Sequence, residues 1–364
     1  MKITRNQIIT WLGFALLLAA LWFLRAVVAY FLVAAIVTFL GSPLVNKMES
    51  RIRLGKRRMP RTLATILVLL LFLTIFLVLI RVIAPPLIEQ ISAISHISYD
   101  DFQKSFGKPI ADLREYAVSI GISAEYFTAA YFKQQFLSWV SVIDFGTLFS
   151  RFISGLSSFM GWIFSVLFIS FFFLKEKFLL YRIIHILTPD KHEPKVQRVM
   201  RSVNTMLGRY FRSILLQILV FGTYIFIGLT IFGEKYALTI AVFSGIINLI
   251  SYIGPLLGVT FALLFSICSH IGADFYTQIV PEMSHVAIVY VIAIALDNFI
   301  SYPLIFSNSL RVHPLELFSV ILIGFRLGGL GGMIVAAPVY TVLRIIAREF
   351  FIRFEIVKSI TRRM

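Results

Sequence analysis

Apolar residues come in long runs along this chain, and the charges are gathered between the runs. A membrane-spanning helix needs about 20 mostly apolar residues, at ~1.5 Å of rise each. Residues 8–24 form the first such run, after a short basic start at Lys2 and Arg5. A signal peptide begins in the same way, but here Arg25 is followed by another apolar run rather than a polar mature start, so an uncleaved first helix is expected. The second run, 26–40, stops at Gly41, Ser42 and Pro43; together the two predict a tight helical hairpin turning at Arg25. The third, 62–84, stops at Pro85 and Pro86, and 152–174 and 211–232 supply a fourth and a fifth. The pattern predicts an all-α polytopic integral membrane protein with about seven to eight transmembrane helices.

Between the runs the polar positions differ in sign. Residues 85–150 hold seven acids (Glu89, Asp100, Asp101, Asp112, Glu115, Glu125, Asp144) against four bases (Lys104, Lys108, Arg114, Lys133). Phe102, Phe106, Ile110 and Leu113 recur there at helical spacing, which predicts a small helical extramembrane segment. The basic positions are the N-terminus, the cluster Arg51, Arg53, Lys56, Arg57, Arg58 and Arg61, the stretch 175–212, and a tail with Arg348, Arg353, Lys358, Arg362 and Arg363. Within 195–212, Val196, Val199, Val203, Met206, Leu207 and Tyr210 fall on one side and arginines among the rest, as in an amphipathic interfacial helix. Basic loops face the cytoplasm, so both termini are expected inside a bacterial-type inner membrane, with anionic lipid at the basic face. The expected organisation is N-terminal membrane helices (1–84), the acidic segment (85–150), a fourth membrane helix (151–174), a basic amphipathic segment (175–212), a transport core (213–347) and a basic tail (348–364).

The core differs from the first half because its apolar runs are short and interrupted. The run 237–250 meets Ser251-Tyr252-Ile253-Gly254-Pro255 before another short run begins. Proline removes a donor and clashes with the preceding turn. Residues 285–300 end at Asp297-Asn298, then Pro303; 315–325 runs into Gly324, Arg326, Gly328, Gly329, Gly331 and Gly332; 333–346 contains Pro338. Gly254, Pro255, Pro303, Gly328, Gly331 and Pro338 are therefore the expected breaks or hinges, either re-entrant or as kinked spans. Broken backbone at membrane depth is tolerated only where protein buries it or a wet cavity meets it, and paired broken segments point to a transport site.

Asp297 is the leading site residue. A carboxylate at the centre of a membrane helix costs roughly 2.5–3.5 kcal/mol on insertion scales, and such groups usually face a cavity with a partner. It is expected to carry a proton or hold a cation beside Asn298; capping the next segment, or pairing with a buried arginine for folding, is the alternative. Arg326 is an isolated charge that would neutralise Asp297 or meet an anionic solute. Asn248, Ser251 and Tyr252 would line a path or satisfy freed carbonyls. His270, Asp274, Glu282 and His285 read as a polar loop, and His313 as a turn residue.

Composition narrows the function. The chain is 59% hydrophobic and only 14% charged, with a net charge of +16. In a soluble protein that charge would suggest nucleic acid, but no nucleic-acid motif is present and the positive-inside pattern accounts for it. Cys268 is the only cysteine, so no intrachain disulfide forms, and a packed thiol is expected. No hydrolase elbow, phosphate loop, zinc motif or dinucleotide fingerprint appears. The reading is a transporter rather than an enzyme, with no cofactor, no metal and no ATP engine of its own; a cation–proton antiporter is the alternative, and a membrane scaffold protein a further one.

Tyr252-Ile253-Gly254-Pro255, Asp297-Asn298 with Pro303-Leu304-Ile305, His313-Pro314, Gly324 through Gly332 and Ala337-Pro338 together resemble the autoinducer-2 exporter family of permeases. The resemblance covers almost the whole chain. It implies a homo-oligomeric membrane transporter, a ring of five being one form, with export of a small furanone-type signal in some members and cation–proton exchange in others. Asp297, Asn298 and Pro303 match the family's acidic motif, and Gly254 and Pro255 its helix break. Ser251 stands where the family pattern has a proline.

Overall fold

The apolar runs fold as helices, but several end elsewhere than their prolines suggest. A computed structural model describes residues 23–54, 57–95, 98–121, 128–142, 156–176, 179–186, 188, 193–250, 253–306 and 313–351. Nearly all of the expected helix at 8–24, Ser251 and Tyr252, and the tail beyond 351 lie outside the described residues. The helices are α1 (Arg25–Arg51), α2 (Arg61–Ser95), α3 (Tyr99–Ser119), α4 (Ala129–Val142), α5 (Leu156–Lys175), α6 (Leu179–Ile186), α7 (Glu193–Ile231), α8 (Ala237–Ile247), α9 (Ile253–Ser269), α10 (Val280–Leu296), α11 (Tyr302–Phe306) and α12 (Pro314–Phe351). Single π-helical turns, Phe275–Ile279 and Asp297–Ser301, flank α10. Four described helices are long and apolar enough to cross a membrane: Ala26–Arg51, Arg61–Gln90, Glu193–Ile231 and Phe275–Ile305. Met160–Lys175, Ala237–Ile247 and Ile253–Ser269 are shorter apolar helices. Large apolar side chains such as Leu70, Leu77, Val78 and Val291 stay exposed along these spans, as lipid-facing positions do. The chain is an α-helical integral membrane protein.

The chain packs as two units, one of residues 1–73 and 155–211, the other of 74–154 and 212–364. In the first, Val45, Met59, Ala64, Val68, Leu69 and Leu174 form the core. Contrary to the sequence reading, α1 does not end at Gly41-Ser42-Pro43 but runs eight residues past the proline. The turns beyond Pro43 carry Val45 and Met48 into the core, and that packing outweighs one missing backbone bond. Residues 53–54 and 57–58 pair as a two-residue antiparallel ladder, Arg53 opposite Arg58. Arg61 donates through Nε to the carbonyls of Leu174 (2.8 Å) and Lys175 (3.0 Å), and through a terminal nitrogen to Asn46 (3.0 Å) and Glu49 (2.9 Å). One member of the basic cluster thus caps the C-terminal end of α5, where a cation also complements the helix dipole.

The second unit holds the irregular half. Helix α2 continues through Pro85 and Pro86 to Ser95, again past the expected stop. Pro86 cannot donate to the carbonyl of Val82, and the Thr239 hydroxyl of α8 donates to that carbonyl instead, at 3.2 Å. Ser98 caps α3 by accepting from the Asp101 amide at 3.0 Å. Phe102, Ser105 and Ile110 are buried, whereas Leu113, expected on the same face, is exposed. Helix α3 packs against α4 and against the turn that follows α9: the Gly272 amide donates to Ser105 Oγ (2.7 Å) and the Tyr276 hydroxyl to Asp112 (2.7 Å).

The core of this unit joins Phe221, Ile225 and Leu229 of α7, Ala237, Ile240 and Ala241 of α8, Phe261, Ala262 and Phe265 of α9, and Val286, Val289, Tyr290 and Ala293 of α10. Small residues let the backbones approach, as membrane helices require. A side chain at Gly245 would lie 2.7 Å from the carbonyl oxygen of Ile218, and one at Gly228 would lie 2.5 Å from Val289 Cγ1. The amphipathic stretch 195–212 and the fifth run are not separate elements: α7 is a continuous helix of 39 residues, about 58 Å long and well beyond a ~30 Å hydrocarbon core.

Helix α12 is a hairpin. Gly329 has φ +59° and ψ −146°, a conformation open only to glycine, and the chain reverses at Gly328-Gly329. The arms touch at Gly324 and Gly332, where a side chain on Gly324 would fall 2.5 Å from the Gly332 carbonyl oxygen. The Tyr340 hydroxyl donates to Glu316 at 3.1 Å farther along. The first arm, 314–327, is about 21 Å long, too short to cross a bilayer core. Pro338, expected to break the second arm, lies buried inside it, with helical backbone on both sides.

Candidate functional site

The face of α10 that enters the core carries Val286, Val289, Tyr290 and Ala293. One helical step farther the same face presents Asp297, only 6% exposed. Backbone geometry changes at this residue. The Tyr302 amide donates to the Asp297 carbonyl, a π-helical bond spanning one residue more than an α turn. The cause is Pro303, whose ring would collide with the carbonyl of Phe299 in α register and which has no N–H to offer. The expected break at Pro303 is therefore a change of register inside a continuous helix. The same device opens α10, where the Val280 amide donates to the Phe275 carbonyl just ahead of Pro281. π turns inside α-helices recur at functional sites.

Two amide side chains reach the Asp297 carboxyl from separate helices. Gln217 of α7, itself 6% exposed, donates through Nε2 to Oδ1 at 2.5 Å. Asn248, which caps the C-terminal end of α8, makes a side-chain hydrogen bond to the same carboxyl. Among the described residues, buried Gln217 Oε1 has no hydrogen-bond partner, so an unpaired acceptor stands beside the acid. Around them, Tyr224 and Ser301 share a hydrogen bond of 2.9 Å, and Ser213 donates to the Ile305 carbonyl at 3.0 Å. The Tyr290 hydroxyl donates to the Gly258 carbonyl at 3.0 Å and accepts from Ser244, tying α8, α9 and α10 together.

The break between α8 and α9 depends on Gly254, whose missing side chain leaves room for the Ile247 carbonyl oxygen and Asn248 Cα. Pro255 follows in the first turn of α9, where proline is tolerated. Of the residues singled out from the sequence, Asp297 and Asn248 come together. Asn298, one step around the helix, is exposed, and so is Arg326 on the first arm of α12. Arg326 is not brought to Asp297: among the described residues neither enters an ion pair, and the carboxyl is met by neutral amides instead. Ser251 and Tyr252 lie outside the described residues. Gly331 sits in the second arm just past the reversal. Gln217 was not anticipated; its signal is a single amide in the run Ile214-Leu215-Leu216-Gln217-Ile218-Leu219.

A carboxyl flanked by two amides can bind and release a proton. When ionised, it can offer oxygens to a small monovalent cation. Among the described residues no group of three or more His, Cys, Asp or Glu side chains converges as a metal site would require.

The comparisons with known proteins agree with a transport role. The chain is 26% identical over 325 residues to the candidate transport protein YueF of Bacillus subtilis (strain 168), covering 86% of this chain and 81% of that protein. It is 31% identical over 183 residues to YrrI, another candidate transport protein of the same strain, covering 50% of this chain and 49% of YrrI. It is 25% identical over 177 residues to the candidate permease PerM of Escherichia coli (strain K12), covering 48% of this chain and 47% of PerM. Residues 12–351 match the model of the AI-2E family transporters. The chain therefore belongs to the AI-2E transporter family and is a membrane transport protein.

Proposed function

We propose that the chain is a secondary transporter or facilitator that moves a small solute past Asp297, without an ATPase of its own. The observation that carries this reading is the convergence of three elements on one buried carboxyl: Asp297 at a π turn, Gln217 from α7 and Asn248 at the end of α8. A polar group inside a membrane span, met by the end of a second, broken helix, is the kind of arrangement from which translocation sites are built. The solute is an autoinducer-2-like signal, exported in exchange for a proton at Asp297. A second reading, cation–proton antiport without an organic solute, is favoured by the carboxyl–amide set, which suits a small cation equally well.

The remaining features of the reading follow the sequence. Seven to eight transmembrane helices, both termini in the cytoplasm and an inner-membrane location fit the charge pattern. Assembly as a homo-oligomer, a ring of five, would use the N-terminal helices and residues 85–150. Anionic lipid is a further partner. A groove of about 390 Å³ lined by Leu44, Met48, Ile52, Leu67, Val68 and Leu71, with Lys47 and Arg51 beside them, suits an acyl chain with a negative headgroup.

Accumulation of labelled autoinducer-2 in inside-out vesicles tests the reading, with and without an imposed proton gradient, for wild type and Asp297→Asn. Gradient-driven accumulation abolished by Asp297→Asn is the expected result. Accumulation indifferent to both would return Asp297 to a structural role. No accumulation above empty vesicles, with the protein folded, would put cation–proton exchange first.

A further inference from the structure

A second acid in the same unit is buried, and the local backbone explains why. Helix α7 ends at Ile231, and Gly233 just beyond it has a φ of +79°. The Gly233 amide donates to the Thr230 carbonyl (3.1 Å) and the Glu234 amide to the Leu229 carbonyl (3.0 Å). In this double-bonded helix end the residue after the glycine usually turns an apolar side chain back under the helix. Here that residue is Glu234, 8% exposed, and among the described residues neither of its carboxyl oxygens has a hydrogen-bond partner. The carboxyl also sits at the negative end of the helix dipole, which disfavours its charge.

The groups facing it come from two other elements. Glu282 and His285 belong to α10, and His270 follows α9; all three act on the Glu234 charge. His285 stacks on Phe232 with ring centroids 4.4 Å apart, its Nδ1 lying 3.5 Å from Glu282. His270 Nδ1 lies 2.9 Å from the Ser266 carbonyl, so that nitrogen carries the proton and Nε2 is the basic one. The next residue, Lys235, turns away to Glu89 at 3.4 Å and lies over the Tyr236 ring. Among the described residues, no lysine or arginine is hydrogen-bonded to Glu234.

We propose that Glu234 is a proton-binding site, its carboxyl taking up and releasing a proton against Glu282, His270 and His285. It is separate from Asp297, since Glu282 and Asp297 stand about 22 Å apart along one helix. Burial and the Glu282 charge push the Glu234 carboxyl above the usual glutamate range, and His270 and His285 draw it back when they are charged. The site therefore has opposed levers: an acid that holds the proton on and two imidazoles that drive it off.

Infrared spectra of the purified full-length protein in liposomes, recorded from acid to alkaline pH, test this without any transport assay. The expected result is a protonated-carboxyl C=O band titrating above the range of free glutamate. It is lost in Glu234→Gln and retained in Asp297→Asn. Glu282→Gln should lower the midpoint, and His270→Ala or His285→Ala should raise it. A band that survives Glu234→Gln overturns the proposal. Should Glu234→Gln fail to fold, the Glu282 and histidine variants decide it, because they keep Glu234: a midpoint unmoved by them also overturns it. Asp297→Asn abolishing transport while the band remains would separate the two acids; the transport reading can fail with this site intact, and the reverse.

Discussion

The hydroxyl of Thr239 lies 3.2 Å from the carbonyl of Val82, the acceptor that Pro86 leaves without its helical donor. A proline pair that would stop a helix in water is carried through here because a side chain from another helix supplies the missing bond. Thr239 is itself buried, so removing its hydroxyl leaves a carbonyl unsatisfied in apolar surroundings. Thr239→Val is expected to cost about 1–3 kcal/mol, read as a lower melting temperature of the purified protein, while Thr239→Ser stays near wild type. Equal melting of wild type and Thr239→Val would show that the carbonyl finds another donor.

The α12 hairpin makes a contrasting prediction from two neighbouring glycines. A side chain at Gly332 would collide with the Gly324 carbonyl, whereas one at Gly331 meets nothing within 4 Å. Gly332→Ala should sharply reduce the yield of folded protein, and Gly331→Ala should leave it unchanged. Comparable yields in size-exclusion profiles would mean that the arms separate without cost.

Gln217 holds the Asp297 carboxyl across 80 positions of sequence. If Asp297 is the coupling group, Gln217→Ala should slow gradient-driven transport about tenfold, the equivalent of one lost charge-assisted hydrogen bond. Gln217→Glu, which places two acids together, should be at least as damaging. Wild-type rates in both would confine Gln217 to packing.

Asp274 caps the π turn before Pro281, accepting from the Thr277 amide and hydroxyl at 2.9 Å each. Those bonds hold its carboxyl below the ordinary aspartate range. Its folded value being the lower one, its stabilisation is present above the unfolded value and is lost as pH falls through the folded one. Asp274→Ala should therefore lower the melting temperature at neutral pH, and the gap to wild type should close below about pH 4. A gap that does not change with pH would refute the cap.

Much of this was legible in the sequence, because hydropathy reports the environment of a helix directly. Long uncharged runs specified membrane helices, and Asp297 stood out as a charge in one of them. The ends of helices were less legible. Pro43 and Pro85 each read as a stop and Pro338 as a break, since proline's local chemistry is all that a sequence displays. What overrides it is tertiary: Val45 and Met48 packing beyond Pro43, or Thr239 reaching Val82. The partner of Asp297 failed for a related reason. Opposite charge suggested Arg326, but proximity is set by helix packing, and the packing delivers Gln217 and Asn248. Glu234 stands between a glycine and a lysine just after the fifth run, where an acid is ordinarily solvated; only the double-bonded end at Gly233 shows that this acid is turned inward.

The π turn at Asp297–Ser301 has one further consequence. It acts as a one-residue insertion in the thread of the helix, so everything after it is wound on by an extra step of about 100°. Deleting a single residue there would restore a regular thread and unwind that step. Ser301 would then swing away from Tyr224, and the Ile305 carbonyl from Ser213. Pro303 thus works as a phase setting: it fixes which side of the last turns before residue 306 looks toward α7, and so what stands next to the acid.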